Sequence, residues 1–240
     1  VDHFPVELSK KCKVMDKLSI VVPTYNEREN LPKLVESLER VLKGYKFEII
    51  VVDDSSPDGT GEVAEKLSRK HGNVKVIHRK GKKGLASAVA EGFNYANADI
   101  LGVIDADLQH PPENICRMLM EIHGADVVIA SRYVDGGRIE GWSRGRRLIS
   151  KGASLLARLI FPNVRNIKDP VSGFFLLKRR ALEGANLNPI GYKILLEILV
   201  KGTYDRVVEV PYVFQERKKG KSKLGFKEYL CYLRQIFRLM

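Results

Sequence analysis

The sequence predicts a doubly wound α/β domain: a mainly parallel sheet flanked by helices, with an amphipathic helix at the C-terminus. Three observations carry that reading. Over the first 130 residues, short aliphatic and β-branched runs alternate with segments of helical periodicity. The runs are almost continuously apolar, as strands buried on both faces are. Polar or acidic residues come directly after three of these runs, and open α/β sheets gather ligands at that edge.

Residues 18–22 form the first strand, closed by Pro23. Leu31, Leu34, Val35, Leu38, Val41 and Leu42 fall three and four apart, which makes 30–42 a helix. The run 47–52 is long enough for a strand and too short for a helix. Residues 59–71 place Val63, Ala64 and Leu67 on one helical face, and 74–77 is the third strand. An Ala-rich helix over 84–95 precedes a fourth strand at 100–104. Pro112 sits in the first turn of a helix over 112–122, where its missing N–H does no harm. The fifth strand is 127–130.

The second half is less regular. It reads as a helix over 148–161, a strand at 173–177, a helix over 192–201 and a strand at 207–213 containing Pro211. Residues 217–223 are a basic, Gly-containing loop, and 226–240 alternate large apolar side chains with Lys and Arg in an amphipathic helical pattern.

Length and composition bound the possibilities. A chain of 240 residues suits one large domain with at most a short appendage. Hydrophobic residues at 44% and charged residues at 29% permit a packed core and exclude general disorder. No apolar run approaches the roughly 20 residues needed to span a bilayer. Residues 1–16 mix charges with apolar residues, lack the apolar core of a signal peptide, and are set apart as an N-terminal extension. Cys12, Cys116 and Cys231 are an odd, widely spaced set that suits neither a disulfide framework nor a metal cluster, so a reducing, cytosolic setting is expected. The net charge of +12 is uneven. Residues 1–130 carry 18 Lys+Arg against 20 Asp+Glu, and residues 131–240 carry 23 against 9. The basic half suits phosphates or an anionic membrane face, and by itself would equally suit nucleic acid.

The acidic tip of the fourth strand is the sharpest chemical feature. In extended backbone, residues two apart share a side, so Asp105 and Asp107 would repel each other unless a cation lay between them. Hard divalent ions such as Mg²⁺ or Mn²⁺ take one or two carboxylates together with substrate phosphates, and Gln109 could add an amide oxygen. After the second strand, Asp54 is the favoured acceptor for a base or ribose, while Asp58 or Ser56 could instead start the next helix. After the first strand, Tyr25 offers a flat ring to a base or ribose, although residues 23–27 alone would pass for a plain turn. Gly81-Lys82-Lys83-Gly84 lacks the spacing of a P-loop, and no G-x-G-x-x-G follows the first strand, which counts against NTPase and dehydrogenase readings. His110 reads as a solvated loop residue. Arg132, Arg144, Arg146 and Arg147, and Arg217, Lys218, Lys219, Lys221 and Lys223, form two basic clusters, mostly solvated, of which a few members suit phosphate.

These blocks together resemble glycosyltransferase family 2. Residues 21–27 (VVPTYNE), 51–60 (VVDDSSPDGT) and 105–111 (DADLQHP) are similar to that family's signature segments. Ser131-Arg132-Tyr133, Gly141-Trp142, 169–174 (DPVSGF), Arg217 and 222–224 resemble its dolichol-phosphate mannose synthase branch. The likeness runs from about Leu18 to Leu224, with Val171 the one mild departure.

The resemblance implies the GT-A fold over 17–224, followed by a membrane-interface helix over 225–240. It implies inverting transfer of mannose from GDP-mannose to dolichyl or another polyprenyl phosphate. It assigns Pro23, Tyr25, Glu27, Val52 and Asp54 to the guanosine pocket. Asp105, Ala106, Asp107 and Gln109 would surround Mg²⁺ or Mn²⁺ and the diphosphate, with Asp107 and Gln109 as direct ligands. Arg132, Arg146, Arg217 and Lys223 would hold phosphate, the loop 217–223 closing over the substrates. It further implies work at the cytoplasmic face of a membrane, either peripherally or through transmembrane helices outside these 240 residues. Three rivals remain: the same fold with UDP-glucose or another nucleotide sugar, a nucleotidyltransferase, and a nucleic-acid-binding module. The last gives no reason for converging carboxylates, and no nucleic-acid partner is expected.

Overall fold

The computed structural model describes residues 17–216 and 226–240. The first half follows the predicted alternation. Strand β1 (Leu18–Thr24) leads to helix α1 (Leu31–Val41), β2 (Phe47–Asp53) to α2 (Thr60–Lys70), and β3 (Val74–His78) to α3 (Leu85–Tyr95). Next come β4 (Ile100–Val103), α4 (Asn114–Ile122) and β5 (Val127–Ser131). β1 runs past Pro23 to Thr24, beyond the predicted end. A proline without an N–H is tolerated there because the β4 ladder has already stopped at Val21–Val103, and only β2 continues alongside.

The second half adds β6 (Arg138–Ile139), α5 (Arg144–Ile160), β7 (Phe175–Lys178), α6 (Ile194–Lys201), β8 (Val207–Pro211), β9 (Val213–Phe214) and α7 (Phe226–Leu239). The main sheet has seven strands in the order β3-β2-β1-β4-β7-β5-β8. All its pairings are parallel except those of β7, which runs antiparallel between β4 and β5. The predicted strand at 207–213 divides at Tyr212: β8 joins the main sheet, and β9 pairs with β6 in a separate two-stranded ribbon.

Two apolar layers cover the sheet. On one face, Leu31, Leu34, Val35 and Leu38 of α1, Ala64 and Leu67 of α2, and Ile115, Met118 and Ile122 of α4 pack on Ile20, Val22, Ile49 and Val51. On the other, Ala86, Val89 and Phe93 of α3, Ala157 of α5, Leu195 and Leu199 of α6, and Tyr232 and Ile236 of α7 pack on Val21, Ile50, Val52 and Phe175. Period-2 alternation of the strands sends adjacent residues to opposite layers. α3 lies close to the sheet because Gly92 has no side chain: a Cβ there would stand 2.5 Å from Val21 Cγ1. The loop leading into α3 is thereby held against the carboxyl edge of β1 and β2. α7 is tied to the domain by Tyr232 Oη donating to the Ala153 carbonyl at 2.6 Å, and Gln235 Nε2 donating to the Lys193 carbonyl at 2.9 Å.

Candidate active site

At the carboxyl edge of β1, β2 and β4 lies a cavity of about 610 Å³. That is within the range of small-molecule sites. Three non-glycine residues with positive φ stand at this edge: Asn26 (57°) after β1, Ser55 (62°) after β2 and Leu108 (62°) after β4. A left-handed leucine is strained, and such strain concentrates where loops are shaped for a ligand.

Ten of the residues predicted from sequence line this cavity: Pro23, Tyr25, Glu27, Asp54, Asp105, Ala106, Asp107, Gln109, Arg132 and Arg146. Val52 does not. Its side chain is fully buried beneath α3, with Cγ2 facing Gly92, because β2 turns that position into the core. Arg217 and Lys223 lie outside the described residues.

The β2 edge is built around a charged staple. Asp54 is buried, and its carboxylate accepts from Arg79 Nη1 at 2.8 Å, from the Lys83 N–H, and from the Gly84 N–H at 2.8 Å. Arg79 also donates to Glu91, Ser87 and the Gly84 carbonyl. The carboxylate favoured as a base acceptor is therefore the anchor of the 81–84 loop. That loop brings Lys82, Lys83 and Gly84 to the cavity wall and sets Lys82 Nζ 3.8 Å over the Tyr25 ring. The helix start falls to Asp58, which accepts from the N–H of Thr60 at 3.0 Å and from its hydroxyl.

At the β4 edge the chain turns rather than staying extended. Asp107 is buried, and its Oδ1 accepts from the Gln109 N–H at 3.1 Å. Gln109 donates through Nε2 to the Gln215 carbonyl at 2.9 Å, which leaves Oε1 as the acceptor end of that amide. His110 corrects the sequence reading. It is buried, boxed by the rings of Phe174 (5.3 Å), Tyr212 (5.7 Å) and Phe214 (5.3 Å). Burial, with Arg132 and Lys193 nearby, pushes its pKa down to about 3, so it is neutral at physiological pH.

Several other lining residues are cationic. Arg132 is buried, and its Nε and Nη2 donate to Asp169 at 2.8 and 2.7 Å. The two-point pair uses Nε and Nη2 and does not engage Nη1. Arg146, in the first turn of α5, stacks on Trp142 at 4.1 Å. Lys193 precedes α6 and donates to the Val171 carbonyl at 2.8 Å. Burial and the neighbouring Arg132 push its pKa down to about 7. Sequence reasoning passes over Lys193, Trp142, Lys82 and Lys83 as cavity residues: the motif that would flag a phosphate loop is absent, and only the fold brings these positions together.

The acidic tip fits a hard cation shared with a ligand. Among the described residues, no three His, Cys, Asp or Glu side chains form a metal cage by themselves. Two carboxylates, Asp105 and Asp107, and one amide oxygen on Gln109 instead stand on the same cavity as several cations. Such a donor set suits Mg²⁺ or Mn²⁺ completed by phosphate oxygens.

The family model described as glycosyl transferase family 2 matches residues 19–184. The dolichol-phosphate mannosyltransferase of Pyrococcus furiosus is 54% identical over 225 residues, 93% of this chain and 64% of its own length. The dolichol-phosphate mannosyltransferase of Saccharomyces cerevisiae is 37% identical over 233 residues, 92% of this chain and 86% of its own. The undecaprenyl-phosphate mannosyltransferase of Micrococcus luteus is 35% identical over 213 residues, 85% of this chain and 86% of its own. Glucosyl-3-phosphoglycerate synthase from Mycobacterium tuberculosis, solved with Mn²⁺, UDP and glucosyl-3-phosphoglycerate, superposes with a TM-score of 0.72 at 20% identity over 100% of this chain and 85% of that one. This last likeness speaks to the fold.

Proposed function

The chain belongs to glycosyl transferase family 2, and from that premise we propose that it transfers mannose from GDP-mannose to dolichyl or another polyprenyl phosphate, inverting the anomeric carbon and releasing GDP. The observation that carries the reading is a single cavity with a carboxylate-and-amide tip on one wall and Arg132, Arg146 and Lys193 among its other lining residues. A reaction between two phosphate-bearing substrates needs both. The similarity to polyprenyl-phosphate mannosyltransferases supports the choice of sugar and acceptor.

In this reading the acceptor phosphate oxygen forms a bond to C1 of mannose while the bond from C1 to the GDP oxygen breaks, its electrons leaving with the diphosphate. A phosphate monoester has a second pKa of about 6, so it is largely dianionic at neutral pH and needs no general base. The buried, neutral His110 is consistent with that economy. Asp105, Asp107 and Gln109 would hold Mg²⁺ or Mn²⁺, which when bound neutralises charge on the departing diphosphate. Arg146, Lys193 and the open end of Arg132 offset the repulsion between the two substrates. Tyr25 provides a flat surface for the base, and the Asp54–Arg79 staple fixes the loop that faces it.

A membrane surface is the proposed place of work. Among the described residues, no helix is long and apolar enough to cross a membrane. Helices α5 and α7 nevertheless expose large apolar side chains, with Leu148 73%, Leu159 70% and Phe237 78% accessible. Arg144, Arg147, Lys151, Arg158, Arg234 and Arg238 stand on the same two helices. Apolar residues mixed with cations are what an interfacial helix presents to an anionic lipid surface.

The direct test is to incubate the protein with sugar-labelled GDP-mannose or UDP-glucose, Mn²⁺ and a polyprenyl phosphate, and to extract the lipid. Label from GDP-mannose alone is expected in the organic phase. Transfer from UDP-glucose instead would move the assignment to another donor, and no transfer from either would overturn it.

A further inference from the structure

We propose that His110 is a positioning residue for Asp105: its Nδ1–H donates to the Asp105 carboxylate when the donor site is loaded, and so fixes that carboxylate toward the cation and diphosphate. The proposal rests on the donor-site reading above and adds a residue to it.

Four observations carry it. His110 Nδ1 is buried and has no hydrogen-bond partner among the described residues. A buried polar atom left in that state is unfavourable, so a partner within reach is worth seeking. The polar group facing it is Asp105 Oδ2, at 3.8 Å, just beyond hydrogen-bond range. A carboxylate is an acceptor only, which requires the facing nitrogen to carry the proton.

The ring is also well held. Phe174, Tyr212 and Phe214 surround it, and Trp142 in turn packs edge-on against Phe214 at 5.1 Å. Asp105 is the less confined partner, with its side chain 27% accessible and standing on the cavity wall. A shift of about 1 Å by that side chain would bring the pair to ordinary hydrogen-bond length.

Gly173 keeps this space open. A Cβ at that position would stand 3.3 Å from Asp105 Oδ2 and 3.6 Å from His110 Cε1, tight against the first and in contact with the second. The histidine thus does for Asp105 what outer groups do for metal-binding side chains generally, where their loss weakens metal affinity about 10- to 100-fold. A nitrogen that holds its proton toward a carboxylate cannot accept one from a nucleophile, so His110 is not a general base through Nδ1.

The experiment uses the whole chain, Mn²⁺ and GDP, with bound Mn²⁺ followed by electron paramagnetic resonance. His110→Phe fills the aromatic box without a nitrogen, and His110→Asn places an amide N–H where Nδ1 stood. Expected is a loss of Mn²⁺ affinity in the presence of GDP of about tenfold or more for His110→Phe. His110→Asn should recover most of that loss, and thermal melts without ligand should not track the pattern. Gly173→Ala should weaken Mn²⁺ binding in the same direction by crowding Asp105. Wild-type Mn²⁺ affinity in His110→Phe, or equal losses in the Phe and Asn variants, would overturn the proposal. Absence of GDP-dependent Mn²⁺ binding in the wild type would overturn the donor-site reading itself.

Discussion

Arg132 and Asp169 form a two-point ion pair in the wall of the cavity, with Nε–Oδ2 at 2.8 Å and Nη2–Oδ1 at 2.7 Å. Asp169 is fully buried and also accepts from the Arg132 backbone N–H at 3.1 Å. Burial works against the guanidinium charge, but the field and hydrogen bonds of Asp169 more than offset it, so the Arg132 pKa moves up. The pair joins the end of β5 to the segment before β7. Removing one partner leaves the other charged and buried, which typically costs about 3–5 kcal/mol. Asp169→Ala should therefore lower the unfolding free energy by that order in urea titrations, and raise the KM for the lipid phosphate as Arg132 swings free. A change below about 1 kcal/mol would show that the pair is not structurally important.

The Arg79–Asp54 staple predicts a different effect. It holds the 81–84 loop beside Tyr25 through Lys83 and Gly84, and ties Arg79 to Ser87 and Glu91 of α3. Arg79→Met should release the loop and weaken GDP binding by about tenfold, as expected for losing charge-assisted hydrogen bonds. Turnover at saturating donor should change less. Calorimetric titration with GDP measures this; unchanged affinity would mean that the loop does not shape the nucleotide site.

Lys193 predicts the pH dependence. Its pKa is lowered to about 7, first by burial and then by Arg132. A lowered lysine pKa means that the charge is present below about 7 and lost as pH rises above it. The KM for the lipid phosphate should therefore increase from pH 7 to 8.5, by at most about tenfold per unit. Lys193→Arg keeps its charge across that range, because the guanidinium pKa exceeds about 12. Its KM profile should be flatter than that of the wild type. Parallel profiles would remove Lys193 from acceptor binding.

Membrane docking can be separated from chemistry. Leu159→Glu combined with Phe237→Glu replaces two exposed apolar side chains on α5 and α7. Vesicle co-sedimentation with anionic lipid should fall at least about tenfold, since each apolar side chain contributes on the order of 1.5 kcal/mol when buried. Transfer to a short, water-soluble polyprenyl phosphate should be retained. Undiminished vesicle binding would place the lipid surface elsewhere.

Much of the cavity edge is legible in sequence because parallel strands announce themselves. Their apolar runs are continuous, and the residues just after each run must lie at one edge, so Tyr25, Asp54 and Asp107 group together without any coordinates. The same runs carry no direction. Phe175, Leu176 and Leu177 read as a strand, but nothing in them says that β7 enters antiparallel between β4 and β5. The resemblance assigns Val52 to the pocket, but Val51 and Val52 are both apolar and both buried, and only the pleat of β2 sends the Val52 side chain under α3. His110 looks solvated in sequence because the three rings that enclose it come from positions 174, 212 and 214, far along the chain. Lys193 escapes notice for the same reason: one lysine among many becomes exceptional only when the fold sets its ammonium against the Val171 carbonyl and beside Arg132 and Asp169.

The measurement that bears most directly on the account is mannosyl transfer from GDP-mannose to polyprenyl phosphate in Mn²⁺, compared between the wild type and Asp107→Ala. The variant is expected to fold normally and to lose transfer by at least about 10²-fold, the scale of removing one preorganised electrostatic group. Near-normal transfer by Asp107→Ala would contradict the claim that the acidic tip of β4 holds the departing diphosphate.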